Sequence, residues 1–208
     1  MANGDDWVRR FHAGSVSAAA AGIVDVARGR SAPARMLGRL MRLPPPAAGL
    51  AARLCIVRQA EGTAGHEQWI RTFGTARLAT RMVRAGERAA ERFGPVELRM
   101  RCLAAASEVW FIPDGAAIVL GRLSFRLPGL VAPRAYAHAW SSGDRAFDVE
   151  VSVRIPLLGA LISYRGHFLE AEECKPCCGS WARLACSAPS TPSTSTRSAA
   201  SSRRGCPG

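Results

Sequence analysis

The residues of this chain that could do chemistry are its histidines, a pair of carboxylates and its cysteines. His12, His66, His138 and His167 stand far apart, and none falls in the HxH or HExxH spacing that holds a metal ion. Asp148 and Glu150 lie two residues apart. Paired carboxylates act as acid and base when their surroundings separate their pKa values. Strand alternation puts both on a wet face, where solvation is the simpler role. Cys174-Lys175-Pro176-Cys177 forms a CxxC, but Cys186 stands alone where a second pair would be needed to complete four zinc ligands. Cys55 and Cys102 fall in predicted strands and read as buried thiols. No GxSxG, Walker-type loop or GxGxxG occurs. We therefore assign no catalytic residue, metal ligand or cofactor, and lean toward a protein that is not an enzyme.

Aromatic residues make a more coherent set. Trp69, Phe73, Trp110, Phe125, Tyr136 and Trp140 fall on alternating positions of several predicted strands, with His138 between Tyr136 and Trp140. If the sheet curls, these rings converge on its concave side, and a curved, aromatic-lined sheet is a common ligand cavity. Phe125, Tyr136, His138, Trp140 and Phe147 are expected to point inward, and Asp148, Glu150 and Arg126 toward water. The expected cavity is roughly 300–1,000 Å³, the range of small-ligand pockets, with a filled core as the competing outcome. Arg165, within Tyr164-Arg165-Gly166, can bind a carboxylate or phosphate with two parallel hydrogen bonds. Its structural alternative is an ion pair with Asp148 or Glu150.

The elements that must position these residues are mostly strands. Clean alternation runs through Arg53–Gln59, Glu67–Phe73, Arg77–Val83 and Val96–Cys102. Pro113-Asp114-Gly115 reads as a turn joining Glu108–Ile112 to Ala117–Leu127, and Ser142-Gly143-Asp144 as a hairpin turn between Arg134–Trp140 and Arg145–Arg154. Ile162–Leu169 closes the series, and Gly14–Ala27 suggests one or two strands near the start. Trp7 and Phe11 share a face of a short helix begun at Asp5. Pro33–Leu43 is the convincing helix, with Met36, Leu37, Leu40 and Met41 on one apolar stripe and Pro44-Pro45-Pro46 as its stop. The expected fold is mainly β (α+β): a curved antiparallel meander or half-barrel of about eight or nine strands with one packed N-terminal helix. Residues 1–170 are expected to form this single domain. Residues 171–208, rich in Cys, Ser, Pro and Thr, are expected to be a disordered tail, either a true extension or the product of a shifted reading frame.

Net charge is +12, yet of the 28 basic residues only Lys175 is lysine, and the arginines are spread along the chain rather than clustered. Clustering is the sign of a nucleic-acid partner, so none is expected. Apolar runs stop well short of the roughly 20 residues that span a bilayer. The acidic start at Asp5-Asp6 is unlike a signal peptide, so a cytoplasmic location is expected.

Several segments together resemble a known bacterial family. They are Arg39-Leu40-Met41-Arg42-Leu43-Pro44-Pro45, Trp69-Ile70-Arg71-Thr72-Phe73-Gly74, Glu91-Arg92-Phe93-Gly94-Pro95, Leu127-Pro128 with Ala132-Pro133-Arg134, Phe147-Asp148-Val149, and Pro156-Leu157-Leu158-Gly159 running to Tyr164-Arg165-Gly166. In order and spacing they resemble the DUF4166 domain of unknown function over about residues 5–169. The resemblance implies a family without an established activity, found alone or appended to reductase-like domains, and it supplies no catalytic residue. The Ala85–Ala90 segment departs from it, where a turn and strand partner are expected. Three functions remain open at this point. One is a domain binding an apolar or amphipathic small molecule. Another is an accessory domain for a reductase-type partner. The third is a peripheral membrane module using the Pro33–Leu43 helix.

Overall fold

Among the described residues eleven strands and two helices form, in the order α1 (Trp7–Ala13), β1 (Ala18–Arg28), α2 (Ala32–Leu40), β2 (Ala47–Gln59), β3 (Gly65–Phe73), β4 (Ala76–Ala85), β5 (Arg88–Phe93), β6 (Val96–Ala104), β7 (Glu108–Leu120), β8 (Leu123–Arg126), β9 (Arg134–Gly143), β10 (Ala146–Ile155) and β11 (Gly159–Glu170). The computed structural model describes residues 7–59 and 65–171. The tail, with its CxxC, Cys186 and Cys206, lies outside the described residues.

The sheet runs β6-β5-β4-β3-β2-β1-β11-β10-β9-β7-β8, and β6 also pairs with β7. That last pairing closes ten strands into an antiparallel barrel and leaves β8 as a short outer addition. The expected half-barrel of eight or nine strands is corrected accordingly. Closure removes the open edges that a half-barrel would expose. Two strand boundaries differ from expectation. Pro113-Asp114-Gly115 is not a turn: β7 runs straight through it with a bulge opposite Arg99 and Met100. A bulge accommodates a proline because it takes that residue out of the regular ladder. The Ala85–Ala90 segment does form a turn and strand, with Gly86 in the left-handed region and β5 pairing along β4.

The two helices close opposite ends. α1 presents Trp7, Val8, Phe11 and His12 to the interior and packs on β7, β9 and β10. Phe147 receives it, with ring centroids 5.3 Å from Trp7, 5.1 Å from Phe11 and 4.9 Å from His12. α2 lies across the other end on β11 and β1. Ser31 caps its start, accepting from the Ala34 amide at 3.3 Å. It ends before the prolines, at Leu40: Arg42 takes φ 52°, Arg42 N donates to Arg39 O and Leu43 N to Gly38 O. These paired bonds make a Schellman stop, here with arginine where glycine is usual.

The buried stripe of α2 is also not the expected one. Ala34 and Gly38 are buried and Leu37 and Met41 half-buried, while Met36 and Leu40 face out. The smallest residues face the barrel because Arg28 stands directly beneath: a Cβ at Gly38 would run into its guanidinium, which donates to the Leu43 and Pro44 carbonyls.

Candidate ligand cavity inside the barrel

Strand parity assigns the interior. β3 points Glu67, Trp69, Arg71 and Phe73 inward, β4 Thr80 and Met82, β5 Ala89 and Glu91, and β6 Leu98, Met100 and Cys102. Across the barrel, β10 contributes Phe147, Val149 and Val151, and β11 Ile162, Tyr164 and Phe168. A Cβ at Gly166 would collide with the Ile23 carbonyl and Val24, so glycine lets β1 and β11 approach there. These walls leave a cavity of about 180 Å³, bordered by His12 at the α1 end and by Leu37, Met41 and Leu43 at the α2 end. It is smaller than expected because the rings of Trp69, Phe73, Phe111 and Phe168 fill much of the barrel.

The cavity wall is mostly apolar; His12, Arg53 and Tyr136 also border it, and one hydrogen-bonded polar cluster stands out. Arg71 Nη1 donates to Glu91 Oε1 at 2.7 Å and to Thr80 Oγ1 at 3.1 Å, and the Thr80 hydroxyl donates to the same Glu91 oxygen at 2.6 Å. Tyr164 hydrogen-bonds to Arg71, and the guanidinium carbon lies 4.8 Å from the Trp69 ring centroid. Burial disfavours the Arg71 charge, but Glu91 and Tyr164 beside it outweigh burial and raise its pKa. Burial raises the Tyr164 pKa too, against the pull of Arg71. The group thus holds a fixed cation and a neutral hydroxyl at an apolar cavity, which can orient one polar head of a ligand. Burying such a pair is costly unless each charge is compensated, as it is here.

A second polar cluster serves the fold. Glu67 accepts from Arg58 Nε at 3.0 Å and from Trp69 Nε1 at 2.7 Å, and forms an ion pair with Arg84, whose Nε lies 3.3 Å away. Arg58 and Arg84 also donate to the Phe11 and His12 carbonyls, tying α1 to the barrel. His12 Nδ1–H donates to the Val8 carbonyl at 3.2 Å. Its pKa is lowered to about 3, chiefly by burial, with Arg84, Arg58 and Arg71 adding to the effect and the Val8 bond opposing it.

Of the eight residues proposed from the sequence, Trp69 and Phe73 line the interior as expected. The rest separate from them. On β9 the inward positions are Ala135, Ala137 and Ala139, so Tyr136, His138 and Trp140 stand on the outer face. Tyr136 borders the cavity, but its ring sits 5.7 Å from that of Trp110. Trp110 stacks on His138 at 3.3 Å between centroids, and His138 Nε2 lies 3.0 Å from Glu108 Oε2. Phe125 is exposed on β8. Arg165 is also outside, opposite Glu150 in register and 5.8 Å from the Trp140 centroid, a cation–π contact in place of the anticipated ion pair. Phe147 is inward, and Asp148, Glu150 and Arg126 are outward, as anticipated. Alternation reports which residues share a face, not which face is inside; alanines take the inner β9 positions beside the bulky α1 plug. Cys102 is buried, whereas Cys55 is only half-buried.

The polar cluster itself was missed. Arg71 shared the parity of Trp69 and Phe73, and Tyr164 stood next to Arg165, so both carried a usable signal. Glu91 lay on β5, the strand not recognised. Another trio, Ser142, His167 and Asp148, gathers outside the barrel: Ser142 Oγ and Asp148 Oδ1 lie 3.2 and 2.8 Å from the same atom, His167 Nδ1. A proton relay needs the serine and the carboxylate on opposite imidazole nitrogens, so this is not a nucleophile site. Among the described residues no group of three His, Cys, Asp or Glu is placed to hold a metal ion, and no helix is long and apolar enough to cross a membrane.

The fold and interior together define a closed, ten-stranded antiparallel β-barrel with a helix across each end. The chain belongs to the DUF4166 family, a domain of unknown function whose model matches residues 6–168. All six segments that carry this resemblance reach the cavity: among them Leu43 from the first, Trp69, Arg71 and Phe73 from the second, Glu91 from the third, and Pro133, Val149 and Tyr164 from the others. No curated protein matches the chain. Among solved structures it is similar to a protein of unknown function from the DUF3598 family of Nostoc punctiforme, with 9% identity and a TM-score of 0.44. That match covers 74% of this chain and 47% of the other, so this chain spans about half its length.

Proposed function

We propose that the barrel binds a compact amphipathic molecule, its polar head against Arg71 and Tyr164 and its apolar body among Phe73, Leu98, Met100 and Phe111. The observation that carries this is one compensated polar cluster facing a cavity whose other walls are mostly apolar. The volume sets the scale of the ligand. An engineered apolar cavity of about 150 Å³ accepts benzene. At about 180 Å³ this one suits a ligand somewhat larger, unless α2 moves aside for a longer one.

The test is calorimetric titration of the full chain with p-cresol and with toluene. Both are expected to bind, p-cresol more tightly. Tyr164→Phe keeps the ring and removes only the hydroxyl, so it should weaken p-cresol by about tenfold, one hydrogen bond's worth, and leave toluene unchanged. Absence of binding by both, or equal losses for both in the variant, would overturn the proposal.

A further inference from the structure

The two ends of the barrel differ in charge and in what they expose. The segments at the α2 end are 29–46, 74–75, 94–95, 121–122, 127–133 and 156–158. They contain Arg30, Arg35, Arg39, Arg42 and Arg122 and not one Asp or Glu. The described turns at the α1 end include Glu87 and Asp144. The α2 end also gathers most of the exposed large apolar side chains. Met36 is 70% exposed, Leu40 79%, Leu130 70% and Leu157 69%. The β7–β8 hairpin adds Leu120, Leu123 and Phe125 at the same end.

These side chains sit on segments tied to one another. Leu157 N donates to the Leu130 carbonyl at 3.1 Å, and Ser31 Oγ to the Leu158 carbonyl at 3.0 Å, joining the 127–133 loop, the 156–158 turn and the start of α2. Along α2 the outward Met36 and Leu40 alternate with the exposed Arg35 and Arg39. Exposed apolar side chains gathered on one face mark an interaction surface. Apolar side chains interleaved with arginine and free of carboxylate match the boundary of an anionic bilayer, where apolar groups enter the acyl region and cations meet phosphates. A protein interface would more often pair both signs of charge.

We propose that the α2 end docks on anionic membrane surfaces, with Met36, Leu40, Leu130 and Leu157 entering the interface and the arginines of α2 at headgroup level. This does not depend on the cavity being a ligand site. It does place α2, the helix across the cavity, in contact with the lipid.

The test is co-sedimentation of the full chain with vesicles of phosphatidylcholine alone and of an equimolar mixture with phosphatidylglycerol. The chain should pellet with the mixed vesicles and weakly or not at all with the neutral ones. Met36→Asp/Leu40→Asp replaces side chains already in water, so its melting curve should be unchanged while its partitioning falls by about tenfold or more. Arg35→Glu/Arg39→Glu should remove the preference for phosphatidylglycerol. Failure of the parent chain to pellet, or undiminished binding by both variants, would overturn the proposal. So would concentration-dependent self-association abolished by Met36→Asp/Leu40→Asp, since that outcome assigns the face to a second copy.

Discussion

α1 and α2 cap the same barrel in opposite ways. α1 has only seven residues, yet Trp7, Val8, Phe11 and His12 are all buried, and two arginines from the wall bond to its last turn. α2 has nine residues and buries only Ala34 and Gly38, with Leu37 half-buried and Met36 and Leu40 in water. One end is closed by aromatic packing. The other is covered by a helix that rests on a glycine and an arginine. Stability resides at the first end, and the second is free to meet something else, because few buried contacts would be lost if it moved.

The contrast can be broken most directly at Phe11. Phe11→Ala empties a ring-sized space between Trp7 and Phe147 and should cost about 3–5 kcal/mol, read as a lower midpoint in urea unfolding. A cost under about 1 kcal/mol would mean that α1 does not seal the barrel.

His12 sharpens the contrast through pH. Its pKa is about 3 in the fold against an ordinary 6.5, so the neutral form is the folded one. Its stabilising contribution is therefore complete above about pH 6.5 and is lost as pH falls toward 3, at about 1.4 kcal/mol per pH unit. Urea unfolding at several pH values should show that slope in the parent chain, and His12→Gln should flatten it. An unchanged slope in the variant would place the acid sensitivity elsewhere.

The smallest effect is expected at Leu40. Leu40→Ala changes a side chain already in water and should alter stability by less than about 0.5 kcal/mol. A core-sized loss would mean that α2 packs as tightly as α1, erasing the difference between the ends.

The sequence by itself determined most of the strands, though not β5 or the passage of β7 through Pro113, together with the residues that share a face and the family. Trp69, Arg71 and Phe73 were legible as one face, Leu98, Met100 and Cys102 as another, because side chains repeat every two residues whatever the strand packs against. It also placed Trp7 and Phe11 on one side of a short helix. The tertiary structure alone decided which face became the interior. Alanines at 135, 137 and 139 turned inward and sent Tyr136, His138 and Trp140 outside, because the α1 aromatics already occupied that part of the core. It alone brought Arg71, Glu91 and Tyr164 together, since residues on β3, β5 and β11 become neighbours of one cavity only when the barrel closes. It also rotated α2 so that Gly38 met Arg28. Periodicity cannot foresee that step: it ranks faces by hydrophobicity, whereas close approach is ruled by size.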